Sequence, residues 1–275
     1  MADIVFISHG GGPMPLLGDI SHQQLVETLT NITQQIKKPK AIIVISAHWE
    51  ARQVRVTHQK TPDLRYDYNG FPEASYTFKY PCAGAPELAE QLVSKLNTAG
   101  IDAELEENRG LDHGVFVPLT IMYPDADIPC IQLSLVKGLD PDLHLKLGEV
   151  IAENLAEDVL IIGSGFSFHN MRAFFTKDDL AHQQMNQSFE DWLVETCSSQ
   201  TITEEQRMVR FKEWEQAPYA RYCHPREEHL LPLHVCYGAA GRACDVVYSI
   251  SILDKKASMY LWSSRIPPMS DSNTE

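Results

Sequence analysis

The sequence predicts an α/β fold, with one domain, a largely parallel central sheet, helices on both faces and a C-terminal antiparallel hairpin. Three observations predict it. Continuous apolar runs bounded by turns occur at 4–7, 41–46, 128–135 and 159–163, as strands buried on both faces require. Helix-like segments separate these runs, which is the alternation of βαβ units. Near the end, "ACDVVYSISILD" and "ASMYLW" alternate apolar with polar or small residues, the pattern of a closing hairpin.

Taken in order, the first strand lies in "DIVFISHGGG", where Ile4 to Ile7 run into Ser8-His9 and three glycines. Ser21 is the expected N-cap of a helix over "HQQLVETLTNITQQIKK". The second strand, in "AIIVISAHWE", ends on His48 and Trp49. "APELAEQLVSKLNTAG" comes next as a helix, with Pro86 near its start and Gly100 past its end. Strand 128–135 precedes the helical "LHLKLGEVIAENLAE", and strand 159–163 leads through a Gly-Ser-Gly turn to His169. Further helices are expected at 179–198, at 203–215 and, amphipathic, from 226 to about 240. The domain is expected to span residues 1–268, with a flexible tail over 269–275.

A chain of 275 residues is long enough to bury a sizeable core. Its formal charge of −14 argues against nucleic acid or an anionic membrane as partner, since both need basic surface. No secretory leader is expected, because the opening segment has no basic start and its apolar run is far too short for a signal h-region, and no run approaches the roughly 20 apolar residues of a spanning helix. Six cysteines, at 82, 130, 197, 223, 236 and 244, form no C-x-x-C pair and read as buried thiols in a reducing cytoplasm.

Eleven histidines carry the functional information. In open parallel sheets ligands bind beyond the carboxyl ends of the strands. His9, His48 and His169 each come just after such an end, so they are expected to converge although far apart in sequence. A neutral imidazole is both a metal ligand and an acid or base near neutral pH, so convergence implies a metal, catalysis or both. Glycines 10–12 permit close approach but contain no G-x-x-x-x-G-K, so a phosphate loop is a poor reading. His113 sits at a helix start with Asp112 beside it as a cap or acceptor. In "HPREEHLLPLHV", His229 and His234 are five apart and point in different directions on the expected helix, so they do not serve one metal together. Spacing alone chooses neither. His22, His144 and His182 read as solvated helix residues, His58 as part of a polar strand or turn, and Glu227-Glu228 as first-turn acids. No G-x-S-x-G elbow is present.

Six stretches together resemble one family. "SHGGGPMPLL", "ISAHWE", "YDYNGFPEASYTFKYPCAGAPELA", "LDHGVFVPL", "GSGFSFHN" and "EEHLLPLHVCYGAAG" occur in order from residue 8 to about 241. The chain resembles the class III extradiol ring-cleaving dioxygenases, specifically the 4,5-DOPA dioxygenase-like branch related to the catalytic subunit of protocatechuate 4,5-dioxygenase. The tyrosine- and proline-rich segment 66–81 is the most specific match. The resemblance implies that His9, His48 and His229 bind a divalent metal, which selects 229 over 234. It implies that His169 is the active-site base, close enough to coordinate in zinc-containing members, and that His113 is a second imidazole meeting substrate or oxygen.

The implied activity is opening of a catechol-type ring by O2, with His169 taking a phenolic proton and His169 or His113 returning one. Tyr68, Phe71 and Tyr76, with Tyr66, are expected to pack on the substrate ring. Arg65, Lys79, Arg109 and Arg172 read as surface charges, with pairing to a substrate carboxylate as the alternative. Fe(II) is the metal that oxygenase activity requires. Non-haem Fe(II) is generally held by two histidines and a carboxylate, whereas three histidines suit catalytic zinc, so Zn(II) is the competing occupant. Two other functions use the same residues: a zinc-dependent hydrolase, and a non-catalytic binding protein on the same fold.

Overall fold

Eight strands form one sheet: β1 (Ile4–Ser8), β2 (Ala41–Ala51), β3 (Val54–Thr57), β4 (Ala103–Glu106), β5 (Cys130–Val136), β6 (Val159–Gly165), β7 (Val246–Ile252) and β8 (Lys255–Trp262). Their order is β4-β3-β5-β2-β6-β1-β8-β7. A computed structural model describes residues 2–176, 179–263 and 265; the expected tail over 269–275 lies outside them. The β5-β2-β6-β1 centre is parallel throughout, and β7 and β8 form the expected antiparallel hairpin, joined to the sheet by antiparallel pairing of β8 with β1.

The four apolar runs are the four central strands, which explains why their signal is continuous: these strands are covered on both faces. Adjacent residues of β6 show the two covers. Ser164 donates its hydroxyl to the Gly114 carbonyl on one face. Gly165, on the other, lies so close to the His229 backbone that a Cβ would come within 2.1 Å of its carbonyl oxygen. Residues 103–106 and 54–57, absent from the sequence reading, form the β3-β4 edge. Their polar character has a reason: Arg55 bridges to Glu104 and Glu106 at 2.8 Å each across an exposed edge. β3 runs antiparallel to β5.

The helices are α1 (Gln23–Gln35), α2 (Pro86–Thr98), α3 (His113–Met122), α4 (Pro141–Glu153), α5 (Met171–Phe174), α6 (Leu180–Ser198), α7 (Glu204–Lys212), α8 (Ala220–Cys223) and α9 (Leu231–Ala240). α1 packs with α3, while α9 packs on α4 and on β6. Two expected helix starts are corrected. Ser21 is not the cap: its own N–H and hydroxyl donate to Asp19, which caps a short 3-10 turn ahead of α1. The last helix begins at Leu231 rather than 226, because Pro232 favours the first turn, so His229 stands before the helix instead of on it. Among the described residues, no helix is long and apolar enough to cross a membrane.

Candidate active site

Five histidines meet at the carboxyl edge of the central strands. His9 comes directly after β1 and His169 lies four residues past β6. His48 departs from expectation, since it lies inside β2. Ladder pairing to β6 stops at Ser46, and the register against β5 skips from Ile45 to Glu50, so the irregularity frees the stretch that carries the imidazole. His113 opens α3 from one face of the sheet. Gly114 is required there, because a Cβ would stand 2.8 Å from Ser46 Oγ and 3.1 Å from the His48 ring. His229 arrives from the opposite face, its carbonyl accepting from Phe166 N–H at 2.9 Å beside Gly165. His234 does not join them; its Nε2–H donates to the Phe211 carbonyl at 2.8 Å inside the core.

The partners of each ring fix which nitrogen is available. Ser164 donates to Gly114 O, so its oxygen accepts from His9 Nδ1–H at 2.9 Å and leaves His9 Nε2 as a bare lone pair. Asp67 Oδ1 accepts from both His113 Nδ1–H, at 2.7 Å, and the His113 backbone N–H. Glu228 Oε1 lies 3.0 Å from His229 Nδ1 and 3.2 Å from His169 Nδ1, fixing two rings with one oxygen. His48 Nε2 faces His9 Nε2 at 2.9 Å. Burial first, and then the neighbouring imidazoles, push His9 and His229 well below the usual histidine range. Burial and His113 do the same to His48 against the opposing pull of Asp67. Asp67 itself, despite burial that raises it, is held down at about 2 by His113 and His48. Neutral imidazoles with inward lone pairs are the form that binds a metal.

The donor set fits a divalent ion. Imidazoles bound through Nε2 at about 2.1 Å, with angles of about 90–115° between them, would place ring centroids roughly 4.5–5.5 Å apart. His9–His48, His48–His229 and His9–His229 are 4.8, 4.9 and 5.4 Å. Two other pairs are tighter, His48–His113 at 3.9 Å and His169–His229 stacked at 3.4 Å, while His9–His113 is wider at 5.6 Å. Ligand atoms do also cluster as His9, His48 and His113, and as His169, Glu228 and His229, each set within 4.8 Å. The two clusters adjoin through the His9–His229 and His48–His229 contacts.

One wall of the crevice is the aromatic segment. Tyr68 is buried edge-on to His113 at 5.7 Å and donates its hydroxyl to the Ser75 carbonyl. Phe71 lies against Gly12 and 5.6 Å from Tyr68. Tyr76 meets Tyr68 and Tyr66. A cavity of about 530 Å³ opens beside His169 and Glu228.

Several bland readings are overturned. His22 is fully buried, its Nε2 accepting from Gly11 N–H at 2.9 Å, so it anchors the glycine loop. His144 is fully buried too, accepting from Val136 N–H. Glu228 is a histidine partner rather than a first-turn acid, while Glu227 pairs with Arg221. Asp112 takes Ser46 Oγ–H, Arg109 and Gln132 instead of capping α3, and Arg109 also holds the His48 carbonyl. The signal that would have found Asp67 is weak: one carboxylate inside the tyrosine-rich match. The signal for Glu228 is its place directly before His229.

Comparison with known proteins adds three findings. The family described as the catalytic LigB subunit of aromatic ring-opening dioxygenase matches residues 3–262. The chain is 42% identical over 239 residues to a Beta vulgaris protein named 4,5-DOPA dioxygenase extradiol, covering 86% of each. It is 36% identical over 254 residues to dioxygenase tasH of Hapsidospora irregularis, covering 87% of this chain and 78% of that one. A crystal structure of the uncharacterized protein JW3007 from Escherichia coli K12 superposes with a TM-score of 0.73 at 26% identity, covering 96% of this chain and all of that one.

Proposed function

The chain belongs to the family of the catalytic LigB subunit of aromatic ring-opening dioxygenases, and from that membership we propose which of its residues perform the reaction. It is a metal-dependent extradiol ring-cleaving dioxygenase, an oxidoreductase that uses an aromatic substrate and O2. Neither the hydrolase nor the non-catalytic alternative is favoured by that membership.

We assign the metal to His9, His48 and His229, with His169 alongside. The observation that carries the assignment is the ring triangle of 4.8, 4.9 and 5.4 Å, together with the Ser164 and Glu228 contacts that leave Nε2 of His9 and His229 unprotonated. Fe(II) is the metal proposed, because zinc has no redox chemistry. When bound, such a metal holds the diol oxygens and lets electron density pass from ring to O2.

The remaining work falls to side chains. His169, with its Nδ1–H turned to Glu228, offers Nε2 as the acceptor of a phenolic proton. Glu228 stabilises the imidazolium that results. His113, with Nδ1–H fixed on Asp67, presents its other nitrogen beside His48, where it receives or returns a proton as oxygen reacts. Tyr68 and Phe71 supply an apolar wall for the ring, and Tyr76 supports Tyr68. The substrate proposed is a catechol with a side chain, in keeping with the names of the relatives. A cytoplasmic location is supported by six cysteines that are all free and buried.

Anaerobic reconstitution tests the assignment. The Fe(II) form should consume one O2 per catechol and give a yellow ring-fission product, and the zinc form should be inactive with the same histidines in place. Zinc-loaded protein that turns over a catechol with O2 at the Fe(II) rate would overturn the choice of metal.

A further inference from the structure

His48 sits on the least regular stretch of the sheet, and side chains hold its main chain where a ladder would otherwise do so. Pairing to β6 ends at Ser46 and pairing to β5 resumes at Glu50, so Ala47, His48 and Trp49 have no strand partner among the described residues. A stretch released in this way can aim a side chain into the crevice, but its N–H and C=O groups still require partners. For His48 both needs end at one carboxylate. Its N–H donates to Ser46 Oγ at 3.2 Å, and that hydroxyl donates to Asp112 Oδ1 at 2.8 Å. Its carbonyl accepts from Arg109 Nη2 at 3.1 Å, and the same nitrogen donates to Asp112 Oδ2 at 2.9 Å.

This circuit lies inside the protein. Asp112 is fully buried, the Arg109 side chain is only 13% exposed, and Gln132 is a further donor to Asp112 Oδ2. The guanidinium also covers the ring of Trp49, one residue past His48, at 4.7 Å. Replacing a buried ion pair by apolar side chains of similar size is often neutral or stabilising, so stability alone does not explain why the charges are here. Arg109 Nε adds to the cost, being buried without an acceptor among the described residues. What the pair supplies is a fixed direction for the chain that carries His48. Because Asp112 immediately precedes His113, it also fixes that chain against the second imidazole, whose ring lies 3.9 Å from the His48 ring.

Resting on the dioxygenase reading above, we propose that Arg109 is a positioning residue: by joining the His48 carbonyl to Asp112, it sets how tightly the histidine site holds its metal. This replaces both sequence-level readings of Arg109, as a surface charge and as the partner of a substrate carboxylate.

The test separates the donor from the charge. Zn(II) affinity of the apo protein, measured by competition with a chromophoric chelator, reads the site without turnover, and urea titration of the apo protein reads stability. Arg109→Met removes the donor and leaves Asp112 without its counter-charge. Arg109→Met/Asp112→Asn removes both charges, keeps an acceptor for Ser46 Oγ–H, and still leaves the His48 carbonyl without its donor. Arg109→Met should bind Zn(II) about 10–100-fold more weakly, the range for residues that orient a ligand. The double variant should recover stability, because no unpaired buried charge remains, while its affinity stays weakened. Arg109→Lys, which keeps the charge and a donor, should recover part of the affinity. Zn(II) affinity within about twofold of wild type in Arg109→Met, or affinity that returns together with stability in the double variant, overturns the inference. Should Arg109→Met fail to fold, the double variant decides by the same criterion. Wild type and variants that show these affinities while the Fe(II) form of wild type opens no catechol uphold the inference and overturn the choice of reaction instead.

Discussion

Two regions of this molecule bury histidines, and they treat the ring differently. In the interior, His22, His144, His224 and His234 are all fully buried, and each ring meets the main chain: Gly11 N–H, Val136 N–H, the Ser167 carbonyl and the Phe211 carbonyl respectively. In the crevice, His9, His113 and His229 are nearly as buried, yet one nitrogen of each is satisfied by a side chain while the other faces further imidazoles. Burial therefore does not mark a functional histidine here. The mark is a nitrogen left without a main-chain partner among rings that share the same need, an arrangement whose cost a bound ion offsets.

The comparison breaks first at His48. His48→Ala should remove the metal and lower ring cleavage by at least about a thousandfold, beyond the 10–100-fold typical of changes in residues that merely support a ligand. Metal analysis alongside O2 uptake checks this, and a variant that keeps full metal would move His48 out of the ligand set. The next largest effect is expected at His169. His169→Gln should cost about 10²–10⁴-fold in kcat, the range of a general acid-base group, while most of the metal stays bound. Loss of all metal would make His169 chiefly a ligand.

The smallest effect on chemistry, and the sharpest contrast, is expected at His234. Burial holds its pKa down at about 4, against about 6.5 for an unfolded histidine. The unfolded chain therefore takes up the proton first, and stability falls as pH drops from about 6.5 to 4, by about 1.4 kcal/mol per unit. His234→Ala should cost about 2–4 kcal/mol at pH 7 through the cavity it leaves, remove its own share of the acid slope while the other buried histidines keep theirs, and leave metal content per folded molecule unchanged. Urea titrations at pH 7 and pH 5 with metal analysis would check it; metal loss in folded His234→Ala would erase the distinction between the two regions.

The four central strands, the hairpin and the positions of His9 and His169 were legible in the sequence because their causes are local. A strand covered on both faces is mostly apolar along its length, and the residues just past its carboxyl end enter the crevice. His48 was located for a partly mistaken reason, since β2 continues past it to Ala51 through an irregular ladder. The edge strand β4 and its neighbour β3 were not legible, because four-residue strands interrupted by charged side chains carry no apolar run. Nor were the fates of His22 and His144, whose partners are set by loop closure rather than by helix period. The choice between His229 and His234 rested on resemblance, and the fold supplies its physical basis: Gly165 admits the backbone at 229, while α9 turns His234 inward toward Phe211. Tertiary structure alone brought Asp67 to His113 across 46 residues and Glu228 to His169, and committed Arg109 to Asp112. Periodicity reports which side chains avoid water; which polar atoms then satisfy one another depends on contacts between distant segments, and those exist only once the sheet has assembled.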